Sequence, residues 1–189
     1  MRKWLAVLAA LVAVGLLRVA LGRRVRPREM ATGALLGALA VVIPLAFGFL
    51  RVVIPPFTAT LASHVPVMLG VFGGPFVALA AGLGSTLGFF IALGPVVAAR
   101  AFVHVIWGVL GAWLYERGLR PWLVLLAVLP VHALGEALVV LPFGYNLATA
   151  GLVVGVGTAL HHLVDMTITL VVLAVLVRTG LADRYLARS

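Results

Sequence analysis

The stretch Val96-Val-Ala-Ala-Arg100-Ala-Phe-Val-His104-Val-Ile-Trp107-Gly-Val-Leu-Gly-Ala-Trp-Leu-Tyr115 is long and apolar enough to cross a bilayer as a helix, yet it carries an arginine and a histidine. Arg100, His104 and Trp107 are spaced i, i+4, i+7 and so align along one stripe of that helix. An ionisable group in hydrocarbon costs about 2.5–3.5 kcal/mol on insertion scales, so it is rare unless it faces a protein interior or a water-filled cavity. The same anomaly recurs in the other apolar runs, which carry His64, His132, Glu136, His161, His162 and Asp165. Together these groups predict a polar pocket inside a helical bundle.

Composition agrees. Of 189 residues, 64% are hydrophobic and only 10% charged. A soluble domain of this size exposes about a third of its surface and could not hide so much apolar area. The class is an all-α integral membrane protein, with length for a single domain. Cysteine is absent, which removes disulfide and thiolate chemistry. A formal charge of +9 would suggest a nucleic-acid partner in a soluble protein. Here the arginines cluster in short loops, where they read as orientation signals in a lipid bilayer, and no nucleic acid is expected.

Apolar runs are bracketed at 4–21, 30–50, 58–73, 75–93, 96–115, 122–141 and 149–177. They are broken by Pro55-Pro56, Gly73-Gly74-Pro75, Gly94-Pro95, Arg120-Pro121 and 142–146, where proline and glycine end helices. The run 58–73 is short for a span. Alternating sides, one face receives Arg23, Arg24, Arg26 and Arg28, then Arg117 and Arg120, then Arg178, Arg184 and Arg188. The other receives Arg51, with Arg100 near its end of a helix. The excess places the loop before Met30 and the C-terminus in the cytoplasm, in a multi-pass protein of the cell membrane. The chain divides into an N-terminal hydrophobic segment with a basic loop (1–29), a six-helix core (30–178) and a basic tail (179–189). The run 4–21 resembles a signal peptide behind Arg2 and Lys3, but no clean small-x-small cleavage site follows it, so it is read as a retained additional helix. Cleavage and an interfacial position are the alternative readings of this run.

At 1.5 Å per residue, His64 falls about 9 Å below the outer face, Arg100 and His104 roughly 6 and 12 Å, and His161, His162 and Asp165 about 18–24 Å. A cavity open to the outside and closed near the middle accounts for this. Its walls would be cationic (Arg100, His104), acidic (Glu136) and aromatic (Trp107), with the outer loop through Asn146 capping it. Paired by spacing, His132–Glu136, His161–Asp165 and His162–Asp165 also admit a plainer reading, in which buried polar groups satisfy one another between helices. The same pairs place metal-ligand types on single helix faces, which alone is weak evidence for a metal, and none is expected. No phosphate loop, Ser–His–Asp signature or HExxH motif is present. Small residues recur at Gly33/Gly37, Ala34/Ala38, Gly84/Gly88 and Gly82/Thr86, a spacing that lets helix backbones approach closely.

Three stretches carry a family resemblance: 29–40 (EMATGALLGALA), 56–69 (PFTATLASHVPVML) and 72–88 (FGGPFVALAAGLGSTLG). With Ala99-Arg-Ala-Phe-Val-His104, they resemble the substrate-binding S components of energy-coupling factor (ECF) vitamin transporters, and most of all the niacin-type branch. The resemblance covers about residues 30–178. It implies a six-helix bundle that captures a vitamin-like small molecule from outside and delivers it through a membrane coupling protein and two cytoplasmic ATPases. It also implies docking of that coupling protein on Ala34 and Ala38, and a gating loop at 51–57. The extra run 4–21 departs from the family pattern.

The sequence is therefore read as a binding subunit without catalytic residues or cofactor. Its expected substrate-binding residues are His64, Arg100, His104, Trp107, Glu136, Asn146 and His161. Nicotinate, a small aromatic carboxylate, suits a cation and an aromatic face. A metal-dependent membrane hydrolase using His132, Glu136, His162 and Asp165, and a proton-coupled carrier or channel, are the competing readings.

Overall fold

The computed structural model describes Gly22 and residues 24–181. The run 4–21 and the end of the basic tail lie outside the described residues. The helices are α1 (Pro27–Ala46), α2 (Val65–Gly73), α3 (Pro75–Leu93), α4 (Pro95–Glu116), α5 (Pro121–Val139) and α6 (Val156–Arg178). A hairpin of β1 (Arg51–Ile54) and β2 (Phe57–Thr60) lies between α1 and α2, and a π-helical turn, Thr149–Gly155, leads into α6. Among the described residues, five helical stretches are long and apolar enough to span a membrane: Pro27–Ala46, Pro75–Leu93, Pro95–Glu116, Pro121–Phe143 and Thr149–Arg178.

Polarity is inverted relative to a soluble fold. Leu35, Leu39, Leu83, Leu87, Phe90, Ile91, Leu134, Leu138, Leu152 and Leu160 are exposed, while Ser85, Arg100, His104, His132, Glu136, Thr158, His162 and Asp165 are buried. Apolar surface on this scale marks a surface not meant for water. The chain is a multi-pass, all-α membrane protein.

Sequence chemistry explains the joints. Gly74 and Gly94 adopt φ of 110° and 81° and each precedes the proline that opens the next helix. Glycine reaches positive φ without penalty, and proline at the first helical position gives up an N–H that has no partner there anyway. Consecutive helices are thus joined by one residue at both places. The small-residue spacing serves internal packing on one face of α1. Cβ atoms at Gly33 would lie 3.2 Å from Ala80 Cβ and at Gly37 3.2 Å from the Ala80 carbonyl. A Cβ at Gly84 would overlap the Gly37 carbonyl, and one at Gly88 would come within 2.7 Å of the Val41 carbonyl. Gly84→Ala should therefore force α1 and α3 apart and destabilise the protein by about 1–3 kcal/mol, read as a lower unfolding midpoint in detergent. An unchanged midpoint would refute this packing account.

The run 58–73 requires a correction. It was expected to be helical from its first residue, but residues 57–60 form β2, paired antiparallel with β1 in the register Arg51↔Thr60 to Ile54↔Phe57. The β-branched residues of 51–60 favour strand, and Pro55-Pro56 supplies the turn, having no N–H with which to continue a helix. Only Val65–Gly73 is helical, nine residues long, and too short to span.

Candidate functional site

The chamber is assembled from β2, the turn that follows it, and the facing sides of α3, α4, α5 and α6. It is a narrow polar cavity of about 10 Å³, lined by Thr58, Ser63, His64, Phe89, Val97, Arg100, Ala101, His104, Glu136, Thr158 and His161. Glu136 is its hub. Arg100 Nε and Nη2 both donate to Glu136 Oε2, at 2.9 and 2.6 Å, and Thr158 Oγ1 donates to the same oxygen at 2.7 Å. The Nε2 atoms of His104 and His132 lie 3.3 and 3.2 Å from Glu136 Oε1. All of these side chains are buried.

No acid lies one turn from Arg100 on its own helix, and spacing alone did not show which group neutralises it. The acid comes from α5, as Glu136. The remaining Arg100 donors reach the hairpin. Nη1 bonds the Pro56 carbonyl at 3.2 Å and Thr58 Oγ1 at 3.3 Å, and Nη2 bonds the Thr58 carbonyl at 3.4 Å. Phe57 covers the guanidinium, its ring centroid 5.5 Å from Cζ. The hairpin thereby forms a roof latched to α4 by three long hydrogen bonds.

A second anchor holds the turn after the roof. Asp165 on α6 accepts from the backbone N–H groups of Ala62 and His64, both at 2.9 Å. Ala62 sits at φ of 65°, a left-handed conformation costing about 1–2 kcal/mol for a residue with Cβ, and the Asp165 bonds hold it there. His64 Nδ1 and His161 Nε2 each lie 3.2 Å from Asp165 Oδ2. His64 was expected inside a helix. Instead it precedes α2 and stands at the centre of the histidines, its ring centroid 4.8 Å from His104, 4.6 Å from His132, 4.3 Å from His161 and 6.5 Å from His162. All five histidines of the chain form one cluster.

Of the expected site residues, the structure brings His64, Arg100, His104, Glu136 and His161 around one cavity. Trp107 is fully buried below it, packed on His104, His132 and His162 at 5.9, 5.1 and 5.6 Å, and is a floor to the histidines and not a cavity wall. Asn146 is placed elsewhere: it is exposed, and its Oδ1 accepts from Thr149 N at 2.9 Å, a short-range cap where the last helical segment begins. Ala34 and Ala38 lie on the exposed face of α1, away from the chamber. Sequence reading missed Thr58, Ser85 and Thr158. Ser85 Oγ lies 2.9 Å from His104 Nδ1. Thr158 had a readable signal, for Thr158, His162, Asp165 and Thr169 follow one another at i, i+4, i+7 and i+11, and all are buried.

The chain is 29% identical over 168 residues to the niacin transporter NiaX of Lactococcus lactis subsp. cremoris (strain MG1363), covering 78% of this chain and 74% of that protein. It is a relative of a vitamin transporter. The similarity to that niacin transporter runs along most of the chain. No family model matches the chain, and no solved structure matches it at a significant level.

Proposed function

We propose that the protein is the membrane-embedded substrate-binding subunit of an ATP-driven ECF importer, and that its substrate is a small aromatic carboxylate with niacin as the leading candidate. The observation that carries this reading is the buried chamber itself: one arginine, one carboxylate hub and a histidine cluster under a hairpin roof, in a relative of a niacin transporter. Arg100 holds the hairpin only through its longer hydrogen bonds, at 3.2–3.4 Å, while its short bonds go to Glu136. An incoming carboxylate replaces Pro56 and Thr58 on the outer edge of the guanidinium, which releases the roof as it binds. Charge-assisted bonds of this kind contribute about 1.5–3 kcal/mol. The small cavity is the closed state, and the hairpin is the moving part that admits the ligand. In this reading the hairpin faces outside, the C-terminus faces the cytoplasm, and the six helices of residues 27–178 form the S-component core.

No nucleotide-binding motif exists in the chain, so the energy comes from partners: a membrane coupling protein and two cytoplasmic ATPases. Ala34 and Ala38 provide the docking face, because they lie on the outer side of α1 while Gly33 and Gly37 pack inward on α3. Ala34→Trp with Ala38→Trp should leave nicotinate binding in detergent intact and abolish nicotinate uptake in cells supplied with the coupling subunits. Normal uptake by the double variant would remove these alanines from any docking face. Loss of binding and uptake together would mean that they pack within the fold.

A further inference from the structure

We infer that the chamber binds a divalent transition-metal ion of the zinc class through His64, His104, His132 and Glu136. One donor atom from each of these buried residues lies within 4.8 Å of the others. Three imidazoles and a carboxylate are a donor set suited to zinc and its neighbours. The sharper observation is at Glu136 Oε1, which faces His104 Nε2 at 3.3 Å and His132 Nε2 at 3.2 Å. A tetrahedral ion with bonds of 2.0–2.1 Å sets its donors about 3.3 Å apart, so these two spacings are already edges of such a site. His64 completes it, with the widest pair closing by roughly 1.5 Å.

The outer contacts of the imidazoles point the same way. His162 Nε2 must donate to the Leu125 carbonyl at 3.0 Å. With His162 neutral, its Nδ1 is an acceptor, and His132 Nδ1 donates to it across 2.9 Å. That leaves the His132 Nε2 lone pair facing a carboxylate oxygen 3.2 Å away, two acceptors with room for a cation between them. His104 can take the same form, because Ser85 Oγ, 2.9 Å from its Nδ1, is able to accept that N–H and so leave the Nε2 lone pair turned to Glu136. Metal-binding histidines characteristically hold their other nitrogen by such a partner. Charge gives a further reason, which rests on the carboxylate reading above. Counting the arginine and the carboxylates alone, Arg100 and Glu136 cancel and Asp165 leaves one negative charge in excess, the wrong sign for an anion. A divalent ion reverses that sign, and a monoanionic substrate then neutralises the whole.

The test uses full-length protein without a polyhistidine tag, stripped with chelator in detergent and titrated with Co²⁺ and Zn²⁺. One ion per chain, with the intense visible bands of tetrahedral Co²⁺ displaced by Zn²⁺, is the expected result. His104→Gln and His132→Gln should each weaken Zn²⁺ binding roughly a hundredfold or more, while Asn146→Ala, outside the chamber, binds as the unaltered chain does. The rise in melting temperature caused by Zn²⁺ should vanish in both histidine variants, a readout confined to folded protein. No uptake by the unaltered chain, or uptake indifferent to both histidine changes, would overturn the site. Nicotinate binding measured in parallel keeps the two readings apart: binding without metal uptake refutes only the metal, and metal uptake without nicotinate binding refutes only the substrate.

Discussion

Glu136→Ala should cost about 3–5 kcal/mol of stability, the penalty for removing one partner of a buried ion pair and stranding the other. The carboxylate accepts from Arg100 and Thr158 and faces the Nε2 atoms of His104 and His132, and four elements lean on it: α4, α5, α6 and, through Arg100, the hairpin. Arg100→Ala should fall in the same range, because it leaves the carboxylate buried instead. The double variant should be less damaged than the two single losses added together, since each change removes the charge stranded by the other. Glu136→Gln keeps the shape and one acceptor oxygen but loses the charge and turns the other oxygen into a donor, and should lie between. Unfolding midpoints in detergent report all four proteins. A Glu136→Ala loss below about 1 kcal/mol would show that the pair is solvated and the chamber open to water.

Asp165→Ala should be nearly as severe. It strips the acceptor from the N–H groups of Ala62 and His64, and each buried donor left unpaired costs about 1–3 kcal/mol. It also frees Ala62 from the bonds that hold its left-handed conformation. The expected sum is about 3–5 kcal/mol. The same change should loosen the roof, so that a protease site placed in the β1–β2 turn becomes cut at least tenfold faster. Ala62→Gly in the Asp165→Ala background should return part of the loss, because glycine adopts positive φ freely. No recovery would mean that the turn is not strained.

The membrane class and the buried site were legible because hydrocarbon makes polar residues expensive: Arg100, His104, Glu136 and Asp165 in apolar runs could only face inward. The helix joints were legible at Gly73-Gly74-Pro75 and Gly94-Pro95, where backbone chemistry dictates a break. The hairpin was not. Residues 58–61 read as the start of a helix, and only the pairing of 57–60 with 51–54 and the seat of Phe57 on α6 mark them as strand. The seat is visible at Gly157, where a Cβ would lie 2.9 Å from the Phe57 ring. Pairing partners across elements were equally hidden. Spacing showed His132 with Glu136, but not that Arg100 and Thr158 arrive at the same carboxylate from α4 and α6. Asn146 shows the converse failure. A polar residue beside aromatics in an outer loop suggested a ligand contact, whereas a local cap satisfied it.

Equilibrium binding of radiolabelled nicotinate to the detergent-purified chain, competed with nicotinamide and with riboflavin, tests the central claim most directly. The account predicts saturable binding of one nicotinate per chain. Nicotinamide should compete at least tenfold more weakly, because it lacks the charge that Arg100 recognises, and riboflavin should not compete at all. Arg100→Lys should retain folding but bind nicotinate more weakly, since a point charge does not replace the planar fork. Absence of saturable nicotinate binding to folded protein, or equal competition by nicotinamide, would contradict the account.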